Sequence, residues 1–433
     1  MINIESPLTL PSGLTLPNRL AKAAMTEGLA DPENRATERH QRLYNRWAEG
    51  GIGMMLTGNV QVDRQHLEKP RNVVIDDSTD AVARASLEAF SEAAKRHGAP
   101  VIMQLSHGGR QTPAAVNPRP SAPSAVPLNL PGKVFAPPRE MEADEVRAVV
   151  AAFANAARVA QETGFNGVQV HAAHGYLISS FLNPLANRRK DSWGGPLENR
   201  ARLLRECVSA VRNATGKNFT VSVKLNSADF QRGGFTHADC LKVVDMLNAE
   251  AVDLLEISGG SYEQPRMMGQ DGLDAPDPEM AETTRQREAY FLTYAKDVKA
   301  RAMMPVMVTG GFRSRLAMDE ALTTGETDLI GLGRPLCVDT DIPMKLLSGE
   351  IAEAARWEER LKLGPTRLLG PASPIGLLKA INGFGVQAWY YEQILRMGDG
   401  FDPNTGLGVF SAFLKAQSEA ARSAKAWKAA QAI

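Results

Sequence analysis

Eight times along this chain a short apolar run is followed by an amphipathic segment. The runs lie near residues 20–24, 52–59, 101–105, 166–171, 219–225, 252–257, 305–309 and 328–332. The segments between them carry one apolar face each. Ala83, Leu87, Phe90 and Ala94 form one such face. Leu197, Ala201, Leu204, Val208 and Val211, spaced by fours and threes, form another. Strands alternating with helices call for a parallel sheet with helices over it. Eight units without a dinucleotide-binding glycine fingerprint favour a closed (β/α)8 barrel, the TIM-barrel class of α/β folds, over an open doubly wound sheet.

The remaining segments fit around that barrel. LTLPSGLTLPNRL, residues 8–20, reads as a hairpin about Pro11-Ser12-Gly13. Residues 107–140 are rich in proline and serine, without periodicity, and read as a long strand-3 loop over the barrel mouth. We divide the chain into a barrel, 1–355, and a C-terminal helical extension, 356–433. The extension mixes aromatics (FGVQAWYYEQIL) with an alanine-rich helix. It either packs on its own barrel or serves as a surface for a homo-oligomer.

Bulk properties exclude several classes of function. Forty-nine basic residues balance forty-nine acidic ones, so no basic field draws nucleic acid or an anionic membrane. No apolar run approaches the ~18 residues of a membrane span. MINIESPLTL lacks the basic and apolar regions of a signal peptide. Cys207, Cys240 and Cys337 lie far apart, without CxxC spacing, which argues against a disulfide framework or an iron–sulfur cluster. The expectation is a cytoplasmic enzyme acting on a small molecule.

The chemistry concentrates in Val168–Arg200, VQVHAAHGYLISSFLNPLANRRKDSWGGPLENR. A strand runs out into HAAHGY, placing His171, His174 and Tyr176 within one turn at a strand end, where such barrels keep their sites. Two imidazole N–H groups can donate to one acceptor oxygen and polarise it. A metal is the competing use of two histidines, but no third ligand lies nearby in sequence. On TVSVKLNSADF the valines alternate with Ser222 and Lys224, which turns Lys224 into the barrel if the valines face the helices. A buried lysine needs an anion, and Glu256 on the next strand is one candidate. VTGGFRS (308–314) and IGLGRPL (330–336) each run a strand into glycine and then a helix, the pattern that binds phosphate after barrel strands 7 and 8. Gly310, Gly311, Gly333 and Arg334 are the candidates there. Gly259, Gly260 and Tyr262 follow strand 6 as mouth-loop residues, and Tyr262 is a candidate substrate contact.

The strings H-x-x-H-G-Y-L, F-L-N-P-x-x-N-x-R and G-G-x-x-E-N-R closely resemble the Old Yellow Enzyme family of FMN-dependent ene-reductases (NADH:flavin oxidoreductases), and further matches extend the resemblance over roughly residues 5–350. The resemblance implies bound FMN, NADH or NADPH as electron donor, and ping-pong reduction of electron-poor alkenes, with nitro compounds as a further class. It implies that His171 and His174 hold the substrate oxygen and that Tyr176 protonates carbon. Gln104, in the matching QLxHxGR string, would read the flavin pyrimidine edge. Lys224 would face the N1–C2=O region, which makes the flavin a second candidate partner. Ala24, Met25 and Thr26 would lie beside the ring, Thr26 near its N5/O4 edge, and Thr57 would contribute backbone contacts. His107 and Arg110 read as holders of their loop. Two alternatives stay open: a dienoyl-CoA-reductase-like enzyme lacking the cluster, and a flavin-binding barrel without turnover that acts as a sensor or scaffold.

Overall fold

The computed structural model describes residues 1–128, 130, 134–260, 262–263, 291–370 and 373–431. The rest of the mouth loop after strand 6, residues 264–290, lies outside them.

Eight parallel strands form the barrel: β1 Leu20–Lys22, β2 Met54–Leu56, β3 Val101–Ser106, β4 Gly167–Ala172, β5 Thr220–Asn226, β6 Leu254–Ser258, β7 Val306–Thr309 and β8 Leu329–Leu332. Neighbours pair in sequence order, β8 pairs with β1, and β2 pairs with β3, so the sheet closes. A short strand, Val60–Gln61, adds to the end of β3. The helices α1 Glu38–Glu49, α2 Ala81–Lys95, α3 Ala143–Glu162, α4 Arg202–Thr215, α5 His237–Leu247, α6 Leu292–Lys299, α7 Arg315–Thr323 and α8 Ile342–Ser348 surround it. The apolar helix expected from Leu197 is broken: a turn at Leu197–Arg200 precedes α4. None of the described helices is long and apolar enough to cross a membrane.

Strand alternation divides the core in two. Val168, Val170, Val221, Val223 and Leu225 belong to the layer packed against helices. Ala21, Ala23, Met54, Leu56, Ile102, Leu254, Met307 and Leu329 form a separate cluster with Leu10 and Leu16 of the N-terminal hairpin. In that hairpin Leu8–Thr9 pairs antiparallel with Thr15–Leu16. Ser12 Oγ lies 2.8 Å from Thr220 Oγ1, at the first residue of β5. The hairpin therefore plugs the amino end of the barrel and leaves the carboxyl end for a site.

The loop from 107 to 140 contains a turn at Gly109–Gln111 and a strand pair, Ser121–Ala122 with Arg139–Glu140. Two long helices follow the barrel, α9 Gly376–Gly398 and α10 Val409–Gln431. Arg39 pairs with Asp399, Arg46 with Asp402 and Arg71 with Glu419, while Trp427 Nε1 donates to Asn34 Oδ1 at 2.9 Å. These contacts hold the tail against α1 and the loops beside it. Phe384, Phe410 and Leu414 remain exposed on it.

Candidate active site at the carboxyl ends of the strands

The turn after β4 is sharp because two consecutive residues, His174 (φ 63°) and Gly175 (φ 83°), are left-handed. That conformation is uncommon for histidine, and its backbone is held on both sides. His174 N donates to Asn226 Oδ1 at 3.2 Å, and Gln111 Nε2 donates to His174 O at 3.0 Å. The chain then enters a short helix, Leu177–Leu182, with Tyr176 at its N-cap. This geometry gathers the three predicted side chains. The ring centroids of His171 and His174 are 5.2 Å apart, and those of His171 and Tyr176 are 4.9 Å apart. Tyr262 joins them, its hydroxyl 2.9 Å from that of Tyr176.

Burial and the nearby charge of Lys224 hold both histidines well below the ordinary imidazole range, so both are neutral at neutral pH. A neutral imidazole has one donor and one acceptor. His171 Nδ1 accepts the Ala173 N–H at 3.2 Å, which leaves its proton on Nε2. His174 Nε2 lies 2.8 Å from Ser258 Oγ; with Ser258 donating, His174 keeps its proton on Nδ1. Each ring then has an N–H free of its protein partner.

A polar layer lies within the barrel beneath them. Gln104 Nε2 donates to Gln169 Oε1 at 2.7 Å, and Gln169 Nε2 donates to Glu256 Oε2 at 2.9 Å. Lys224 Nζ lies 2.8 Å from Glu256 Oε1. Glu256, one of the two partners expected for Lys224, is in contact with it.

Strands β7 and β8 end side by side, Thr309 in register with Gly331. Gly310 (φ 125°) and Gly311 (φ 90°) take conformations that disfavour any side chain. A Cβ on Gly331 would lie 2.0 Å from Thr309 Oγ1, whereas one on Gly333 would meet, among the described residues, only Met25 Sδ, at 3.8 Å. Open backbone at Gly333 therefore leaves room for a ligand. Arg334 follows it, and Arg313 comes from the β7 loop. Both face Glu358 Oε1, at 3.7 and 2.6 Å, and Glu358 Oε2 accepts from Tyr390 OH at 3.0 Å. This carboxylate beside Arg334, the expected phosphate arginine, was not foreseen from sequence, nor was Arg313. Ala24 packs on the barrel interior, Met25 Sδ lies 3.4 Å from Cys337 Sγ, and Thr57 Oγ1 accepts from Gln104 N at 2.9 Å. An amide edge, a buried cation and glycine-lined strand ends with an arginine are the donor set that a flavin mononucleotide requires, and these residues fit it.

Two loop braces frame the site. Arg110 pairs with Glu263 at 2.7 Å across the mouth loops. Asp63 stands between His66 and His107, whose rings stack 4.4 Å apart. His66 Nε2 accepts from Ser121 N, and His107 Nδ1 accepts from Gly109 N. Both rings therefore aim N–H groups at Asp63, the geometry of a brace. A metal would need those nitrogens bare, and the opposite ones are already acceptors. Burial opposes the charge on Asp63, but hydrogen bonds from both histidines hold it well below the usual carboxylate range.

Sequence reasoning missed three buried groups. Glu68 accepts from Thr26 Oγ1 at 2.5 Å and from Asn59 Nδ2 at 3.0 Å. Glu27 accepts from Tyr44 OH and from Gly58 N. Lys22 donates to Leu56 O at 2.7 Å, and burial lowers it to about 8.

Comparison with known proteins agrees with this architecture. The model of the NADH:flavin oxidoreductase / NADH oxidase family matches residues 4–353. An NADH-dependent flavin oxidoreductase, iliE, of Hypocrea jecorina is 38% identical over 362 residues, covering 80% of this chain and 89% of its own. An NADPH dehydrogenase of Geobacillus sp. is 32% identical over 335 residues, 76% of this chain and 89% of its own. A solved 2-naphthoyl-CoA reductase superimposes with a TM-score of 0.72 at 27% identity. That match covers 81% of this chain and 53% of the longer reductase.

Proposed function

The chain belongs to the NADH:flavin oxidoreductase / NADH oxidase family, and from that premise we propose that it reduces electron-poor alkenes, enones above all, by a ping-pong cycle. It is an FMN enzyme with NAD(P)H as donor. FMN, when bound, would supply the hydride-transfer chemistry between the nicotinamide and the substrate.

The chain's own residues supply the rest. His171 and His174, both neutral, donate N–H groups to the substrate oxygen and polarise the conjugated bond. Tyr176 gives its phenolic proton to the α-carbon. Lys224 opposes negative charge building up beside it. Gln104 would offer an amide to the pyrimidine edge, and Thr26, whose hydroxyl hydrogen goes to Glu68, would only accept at the ring's reactive edge. Gly310, Gly311, Gly333 and Arg334 hold the phosphate. Tyr262 lines the mouth beside Tyr176. Donor and acceptor use one mouth in turn, hence the ping-pong order.

One observation carries the reading: two neutral imidazoles and a phenol converge at one strand end above a buried cation. Sustained NADH or NADPH consumption with a panel of enones, maleimides and nitroalkenes tests it. A sensor or scaffold without turnover would give one equivalent of consumption and no more.

A further inference from the structure

Behind Tyr176 the site continues into a carboxylate. Glu68 comes from the loop between β2 and α2 and is 8% exposed. Its hydrogen-bond neighbours are neutral: Thr26 Oγ1 and Asn59 Nδ2 donate to Oε2, and Tyr262 OH donates to Oε1 at 3.4 Å. Tyr262 OH is 2.9 Å from Tyr176 OH. Asn59 Nδ2 also donates to Tyr176 OH, at 3.2 Å.

A carboxylate only accepts. Tyr262 gives its one hydrogen to Glu68, so it must accept in its contact with Tyr176. Tyr176 therefore donates to Tyr262, while its oxygen accepts from Asn59. We infer that Glu68 is a positioning residue, which fixes the direction Tyr176→Tyr262→Glu68 and keeps the Tyr176 proton turned toward Tyr262 until a substrate carbanion draws it out. This rests on the reading of Tyr176 as the proton donor.

The direction has a chemical consequence. When Tyr176 protonates carbon, one O–H bond breaks, one C–H bond forms and a phenolate remains, to be reprotonated from solvent. That phenolate and the Glu68 carboxylate compete for the single Tyr262 hydrogen. Glu68 thus opposes ionisation of Tyr176 and keeps it in its proton-bearing form. Burial first and the charge of Glu68 second push Tyr176 well above its ordinary value, against the hydrogen bonds that Tyr262 and Asn59 can give its phenolate. The other titratable groups facing Tyr176 are Tyr262, His171 and Tyr391 of α9. Lys69, 3.7 Å from the Tyr391 ring, faces Glu68 as well.

Glu68→Gln tests this in the FMN-loaded enzyme. The amide keeps an oxygen for Thr26 and Asn59 and turns an NH2 group toward Tyr262, reversing the last link. Alkaline titration of tyrosinate absorbance should show one tyrosine ionising roughly one pH unit lower than in wild type. The shift should vanish when Tyr176→Phe is added. In stopped flow, the enone step should lose its rate at correspondingly lower pH, while the pH profile of the NADH step stays unchanged. Glu68→Asp, which keeps the charge, should return both curves toward wild type; a purely structural role makes Asp no better than Gln. Superimposable titrations for wild type and Glu68→Gln, or a shift that survives Tyr176→Phe, overturn the assignment. Wild-type enzyme that ignores enones sinks the proton-donor reading instead, and the absorbance titration still decides whether Glu68 controls Tyr176.

Discussion

Lys224 Nζ stands 2.8 Å from Glu256 Oε1, and the two residues are register partners on adjacent strands, their side chains 5% and 0% exposed. Neither charge reaches water, so each depends on the other. Removing one partner of a buried pair costs about 3–5 kcal/mol, because the survivor stays charged and unpaired. Lys224→Met should lower stability by that order, and Lys224→Met with Glu256→Gln should recover most of it. Denaturant unfolding of the three proteins measures both. The single variant should also bind a flavin that is harder to reduce, since a cation beside developing negative charge is gone. An unchanged midpoint potential with FMN still bound would restrict Lys224 to holding Glu256.

Acid should weaken the fold through two neutral imidazoles. Burial, the largest effect at both sites, holds His40 and His107 down to about 4, against about 6.5 in an unfolded chain. The unfolded state therefore takes up protons first as pH falls. Stability is intact above about pH 6.5 and lost between there and about 4, by roughly 3 kcal/mol per residue. His40 also caps α1 by accepting the Thr37 N–H, which an imidazolium cannot do. Thermal unfolding from pH 7 to pH 4 should show the fall, and His40→Gln should flatten part of it. A parallel pH dependence in that variant would remove His40 from the account.

Gly331 has no room for a side chain. An added Cβ meets Thr309 Oγ1 at 2.0 Å, and overpacking of this kind costs about 1–3 kcal/mol. Gly331→Ala should be destabilised by that order. Thr309 Oγ1 makes no hydrogen bond within the described structure, so adding Thr309→Ala should restore much of the loss. Failure of the second change to help would mean that Met307 Cε or the Cβ of residue 309, each 2.9 Å from the same position, sets the limit.

Arg334 is the candidate cation for the FMN phosphate, and Glu358 shares it. Arg334→Ala should raise the dissociation constant for FMN about tenfold, equivalent to about 1.4 kcal/mol. Riboflavin, which has no phosphate, should bind both forms alike. Fluorescence titration of apoprotein with the two flavins separates a phosphate contact from a general loosening of the loop, which would weaken both.

The barrel was legible because its signals are periodic. Alternation on β4 and β5 placed Gln169, His171 and Lys224 inside and the valines outside, and adjacency of β5 and β6 brought Glu256 within reach of Lys224. HAAHGY was legible because its three side chains share one turn. Glu68 and Asn59 were not: they sit in irregular loops whose path follows from packing, with no period to read. Glu358 was invisible for a different reason. It meets Arg313 and Arg334 across the barrel–tail boundary, a contact no local pattern encodes. The Asp63, His66 and His107 brace likewise joins two loops some forty residues apart.

Anaerobic stopped flow of the two half-reactions, in wild type and Tyr176→Phe, is the most direct measurement. NADH or NADPH should bleach the flavin at similar rates in both proteins. Cyclohexenone should restore the colour of the reduced wild type, and do so roughly 10²-fold more slowly in Tyr176→Phe, the usual range for loss of a general acid. Reduced wild-type enzyme that cyclohexenone leaves bleached, or a Tyr176→Phe enzyme that recovers its colour at the wild-type rate, would contradict the account.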